Sequence, residues 1–178
     1  METTRIAPPS LSPTFELEVS DTQSHLIVDR SFLESVVRRV LTREGIDRAT
    51  LSIALVDDET IRVINRRHLA HDWPTDVISF PLSDPDDPVL AGELVVSAEM
   101  AASTARDVGV DPRSELALYV VHGLLHLCGL DDQTAEDADV MRQREAEILA
   151  SEGLINTYPL VGLLSADDQG RESVSWPR

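Results

Sequence analysis

The chain has 178 residues, 42% hydrophobic and 26% charged, which suits one soluble globular domain with a real core. A single cysteine, Cys128, excludes a disulfide scaffold and favours a reducing, cytoplasmic setting. The formal net charge of -17 argues against a general nucleic-acid coat, and all 15 basic residues are arginine; no DNA partner is expected.

Residues 1–13 are rich in Pro, Ser and Thr and are expected to be a disordered extension. The opening "METTRIAPPSLSPT" lacks the apolar stretch of a secretory signal, and no run approaches the roughly 18 apolar residues of a membrane span. "FELEVS" (15–20) alternates apolar and polar and predicts a strand. A helix follows over 29–45, capped by Asp29 or Ser31 and stopped at Gly45. "TLSIALVD" (50–57) predicts a strand, and residues 57–70 a helix opened by acids at its positive dipole end. Strands over 75–82 and 92–98 flank an acidic, proline-bearing loop. A helix over 97–109 is stopped by Gly109. A long apolar helix spans 111–129, with Pro112 in its first turn and Gly129 past its end. A last helix covers 132–151, and residues 156–178 lose periodicity and are expected to form a loose tail. The expectation is a single α+β domain over 14–155: a mixed sheet of about four strands packed against helices. The two neighbouring strands would be antiparallel and the others parallel.

The stretch "HGLLHLCGLDD" (122–132) carries the chemistry. Residues four apart share one helix face, so His122 and His126 can point at one ion. Gly129 lets the backbone take a left-handed turn, and Asp132 can then fold back as a third ligand, with Asp131 as a competitor. Three protein ligands leave one position open, as in catalytic zinc sites. The competing roles are ordinary ones. The histidines can be core residues bonded to carbonyls, and Asp132 can cap the following helix. Cys128 reads as a small core hydrophobe. In the helical metalloprotease motif H-E-x-x-H the glutamate is the general base. Here that position is Gly123, which counts against a peptidase.

These residues resemble the YbeY endoribonucleases, the rRNA maturation factors, whose hallmark is H-G-x-L-H-L-x-G-Y-D-H with three histidines on zinc. The family's N-x-x-Y-R-x-x-D-x-P-T-D-V-L-S-F-P looks like "NRRHLAHDWPTDVISFP" (65–81), and its G-E/D-I-x-I-S looks like "GELVVS" (92–97). Glu115 and Leu116 match the family's E-L ahead of the zinc helix. The resemblance implies a metalloprotease-like zinc helix and metal-dependent cleavage of single-stranded RNA. It also implies a place in small-subunit rRNA processing and ribosome quality control, with rRNA and the small subunit or its proteins as partners. Two positions depart from the pattern. The third ligand falls on Asp132 instead of His; its charge would make the ion a weaker Lewis acid. The family's arginine, taken as catalytically important, falls on Leu69.

Arg62, Arg66, Arg67, His68 and His71 form the densest basic patch and are candidate contacts for RNA phosphates. The competing role is a solvated helix face pairing with Asp57, Asp58 and Glu59. Trp73 can stack on a base or pack at the domain edge. Asp76 can bond backbone amides or orient a ligand. The alternative to a nuclease is a ribosome-associated assembly factor whose metal is structural.

Overall fold

The computed structural model describes residues 13–158. Nine elements follow the order read from the sequence: β1 (Thr14–Asp21), α1 (Arg30–Arg43), β2 (Arg48–Val56), α2 (Asp58–Leu69), β3 (Val77–Pro81), β4 (Leu90–Ser97), α3 (Ala98–Val108), α4 (Pro112–Leu127) and α5 (Ala135–Ser151). The sheet order is β1-β2-β4-β3. The first three neighbours pair in parallel and β3 pairs antiparallel with β4, so the α+β expectation holds. Asp29 caps α1 by accepting from the Ser31 amide, and Gly45 follows that helix at φ +71°.

The period-2 pattern sets the layers. Leu51, Ile53 and Leu55 of β2, with Leu94 and Val96 of β4, face the main core beneath α1 and α4. Val56, Ile78 and Val95 face the other way and meet Ile61 of α2 in a second, smaller cluster. On the edge strand β1, Phe15, Leu17 and Val19 face the main core, while Glu16 and Glu18 are exposed. Almost every face of α4 is buried, which explains its uninterrupted apolar run. No helix among the described residues is long and apolar enough to cross a membrane. The packed chain continues to Thr157, which is fully buried although it lies one residue inside the stretch expected as a tail. The expected disorder of residues 1–13, and all of the tail beyond Tyr158, lie outside the described residues except for Pro13.

Two glycines set how closely α4 approaches the sheet. A Cβ on Gly123 would stand 2.9 Å from both Leu94 Cδ2 and Val77 Cγ2, and 3.0 Å from Ser79 Oγ. Ser79 Oγ also donates to the Gly123 carbonyl at 3.1 Å. Gly92 of β4 makes the matching approach, with Leu127 filling the space where its side chain would be. Gly123 thus faces β3 and β4, not the solvent side of the helix, and a general-base glutamate has no room there. Gly123→Glu is expected to lower stability by roughly 3–5 kcal/mol, through overpacking and an unpaired buried charge. Urea unfolding checks this; a midpoint equal to wild type would contradict the packing argument.

Candidate metal centre

The two histidines sit one turn apart on α4, and the ends of that helix and of α5 prepare them. After Leu127 the helix closes in a Schellman turn. The Gly129 amide donates to the His126 carbonyl at 2.9 Å and the Leu130 amide to the Leu125 carbonyl at 3.0 Å, with Gly129 at φ +94°. This turn carries the Leu130 carbonyl back over the helix end, 3.1 Å from His126 Nδ1. From the other side, Glu145 of α5 places Oε1 2.8 Å from His122 Nδ1. A carbonyl and a carboxylate only accept, so both Nδ1 atoms carry hydrogen. Both Nε2 atoms are left to face each other, 3.1 Å apart.

Two imidazole lone pairs at that distance repel unless a cation, proton or metal, lies between them. Tetrahedral zinc with bonds of 2.0–2.1 Å holds its donors about 3.3 Å apart, close to the observed spacing. Asp132 Oδ1 stands 4.0 Å from His126 Nε2, and the ligand atoms of His122, His126 and Asp132 all lie within 4.8 Å of one another. The residues present therefore fit a divalent ion. Burial disfavours the charged form of His122, but the Glu145 carboxylate, with Asp76 and Asp132 behind it, outweighs that and raises its pKa.

Asp132 is free for this role because it does not cap α5. Thr134 does, accepting from the Asp137 amide at 3.1 Å. Asp131 is engaged with the Asp132 amide through its Oδ1, and it lies outside the three-residue cluster. Cys128 is packed against the core, and burial pushes its thiol up to about 12.

The cluster lies on the floor of a cleft of about 670 Å³ lined by Asn65, Leu69, His71, Trp73, Asp76 and Gln133 among others. Of the basic patch, only His71 lines this cleft. It stacks on the half-exposed Trp73, with centroids 4.6 Å apart. Arg62 pairs with Asp72 at 3.0 Å and Glu59 at 3.2 Å, and Arg66 approaches the same Asp72 at 3.7 Å. Asp57 and Asp58 are occupied elsewhere, at the α2 cap and with Ser97 Oγ. Arg67 is exposed, and His68 lies edge-on to Phe80. Asp76 accepts from the Val77 amide and Thr75 Oγ1, so its role is in the turn. Asn65 holds the loop beneath it by donating to the Trp73 carbonyl at 2.9 Å.

Glu145 was not singled out from the sequence. Its signal was there: it falls in phase with Met141, Ile148 and Leu149, the buried stripe of α5. A carboxylate on a buried stripe needs a partner, and His122 supplies it.

Asp132 and Thr134 separate by mutation. Asp132→Ala is expected to lower metal content while changing metal-free stability by less than about 0.5 kcal/mol. Thr134→Ala is expected to cost about 1 kcal/mol and keep the metal. Elemental analysis and urea unfolding check both; a large stability loss in Asp132→Ala would return it to a capping role. Glu145→Gln is expected to weaken zinc affinity by about 10–100-fold, as loss of a ligand-orienting carboxylate does. Competition with a chromogenic chelator measures it, and unchanged affinity would count against the assignment.

A model of the family described as Endoribonuclease YbeY matches residues 18–153. A protein of that name from Carboxydothermus hydrogenoformans is 40% identical over 140 residues, 77% of this chain and 97% of its own length. Another, from Rhodopirellula baltica, is 49% identical over 104 residues, 57% of this chain and 53% of its own length. The solution structure of a Thermotoga maritima protein superposes with a TM-score of 0.54 at 22% identity, covering 88% of this chain and 99% of that one, which shows a shared fold. Sequence, fold and the histidine-bearing helix agree: this chain belongs to the Endoribonuclease YbeY family.

Proposed function

We propose that this chain is a metal-dependent endoribonuclease that cleaves single-stranded RNA during rRNA maturation, acting on small-subunit rRNA and serving ribosome quality control in the cytoplasm. His122, His126 and Asp132 hold one zinc ion. The observation that carries the reading is the pair of Nε2 atoms 3.1 Å apart, with both Nδ1 protons committed elsewhere. A bound divalent ion would supply Lewis acidity and stabilise charge on the scissile phosphate. The chain's own residues prepare the rest. Glu145 and the Leu130 carbonyl fix the tautomers and ring planes of the two histidines. Asp132, half-exposed at the cleft floor, closes the donor set from one side. Trp73, with His71 stacked on it, offers a platform for an unstacked base at the cleft wall.

The cleft supports catalysis over a purely structural ion. Structural zinc sites are closed by four protein ligands, whereas the cluster among the described residues has three. The alternative, a ribosome-assembly factor with a structural metal, lacks that fourth donor. Arg62, Arg66, Arg67 and His68 remain proposed RNA contacts outside the cleft, where Arg62 and Arg66 would exchange Asp72 for backbone phosphates.

Tag-free protein is expected to contain near-stoichiometric zinc, and His126→Ala almost none, by elemental analysis. Metal-loaded wild type is expected to cleave a single-stranded oligoribonucleotide that the variant leaves intact. Absence of metal from wild type after supplementation would overturn the site. Full metal without cleavage would favour the assembly-factor reading.

A further inference from the structure

Beside the metal centre, and sharing His122, Asp132, Thr75 and Asp76 with the cleft, is a second cavity of about 150 Å³ between α4 and α5. It is several times the share of one water molecule, about 30 Å³. It is graded from wet to dry. Asp132, Arg142 and Tyr158 are partly exposed at one end, while Glu115, Tyr119 and Thr157 are at most 2% exposed at the other. Leu118, Met141 and the Tyr119 ring give it apolar walls. At its deep end Glu115 Oε2 and Thr157 Oγ1 are both buried, and neither makes a hydrogen bond of normal geometry. Orphaned buried polar atoms are costly, and two in one cavity point to something that pairs with them. Burial pushes the Glu115 carboxyl above the usual carboxylate range, and the nearby Thr157 and Tyr119 hydroxyls offset this only in part.

We infer that this cavity is a nucleobase subsite that selects a base bearing an exocyclic amino group. The inference rests on the endoribonuclease reading above and names which nucleotide sits next to the ion. Apolar walls suit the faces of a splayed-out base, read along one edge. The polar lining mixes hydroxyls with carboxylates; Asp76 and Glu145 are already engaged with the Val77 amide and His122, which leaves Glu115 at the deep end as the acceptor for a ligand. Adenine, cytosine and guanine carry exocyclic amino donors for such an edge, whereas uracil brings a single N3–H flanked by two carbonyl oxygens that would face the carboxylates. At the open end the Arg142 guanidinium lies over the Tyr158 ring, 5.4 Å from its centroid. Arg142 is also paired with Asp139, so the sugar-phosphate of a seated nucleotide emerging there would exchange that carboxylate for a phosphate.

The test is calorimetric titration of the zinc-loaded full chain with the four nucleoside 3′-monophosphates. It is paired with cleavage of oligoribonucleotides that differ at one base. Adenosine, cytidine and guanosine monophosphates are expected to bind about tenfold or more tightly than uridine monophosphate, the cost of facing a buried acceptor without an amino donor. Glu115→Gln, whose neutral amide adds a donor and is no harder to bury, should narrow that gap to less than about threefold with zinc content unchanged. Thr157→Val, a smaller change should the first variant fail to fold, should weaken the preferred nucleotides severalfold. Equal affinity for all four nucleotides, or a preference that survives both substitutions, would overturn the subsite and leave a cavity filled with water. Base-selective binding without cleavage would uphold the subsite and sink the nuclease reading. Cleavage without base selectivity would do the reverse.

Discussion

The close approach of α4 to the sheet at Gly123 is the contact on which the metal centre depends. With no side chain in the way, the helix backbone settles against Val77, Ser79 and Leu94, and Ser79 ties down the Gly123 carbonyl. That approach fixes the rotation of the helix about its axis. Leu124 and Leu125 are driven into the core, and the strip carrying His122 and His126 turns toward the cleft and α5. A wider separation would leave His122 out of reach of Glu145 and take with it the proton arrangement that leaves both Nε2 atoms free. The glycine that removes the peptidase base is thus also what positions the histidines.

Much of this was legible in the sequence because the signals were local. Periodicity, the Asp29 cap and glycine stops located the elements, and the structure adds Asp57, Ser97 and Asp111 as caps acting on amides two or three residues away. The histidine pair followed from helical spacing alone. Asp132 could not be settled that way, because an aspartate before a helix serves equally as ligand or cap. The turn that makes Thr134 the cap removes the capping role from Asp132. The arginine patch shows the opposite limit. Arg62 and Arg66 share a helix face as their spacing requires, but Asp72, beyond the left-handed turn at Ala70, engages that face. Glu145 became visible once α5 lay against α4, and the orphaned Glu115 only once Thr157 closed the same cavity.

The charge of the chain fits this division of labour. Acidic side chains around the histidine pair do distinct work: Asp132 faces the histidines, Glu145 bonds one of them, and Asp76 braces the turn into β3. Their combined field raises the affinity of the site for a dication. The same field opposes a polyanion, so under the proposed function RNA would take hold through the ion, through stacking and through arginines at the margins, not through a basic groove.

The third ligand differs in kind from the other two. His122 and His126 ride on a helix locked into the core, whereas Asp132 sits in the short connector between the Schellman turn at Gly129 and the Thr134 cap. Its carboxylate is half solvated and stands farther from His126 than the imidazoles stand from each other. The histidines therefore form a preorganised half-site, to which the proposed aspartate ligand is added from a solvated connector. Of the three donors of the proposed site, the carboxylate is the one that the core does not hold. Exchange of a bound ion would thereby fall to the four-residue connector 130–133, while the helix beneath it stays packed in the core.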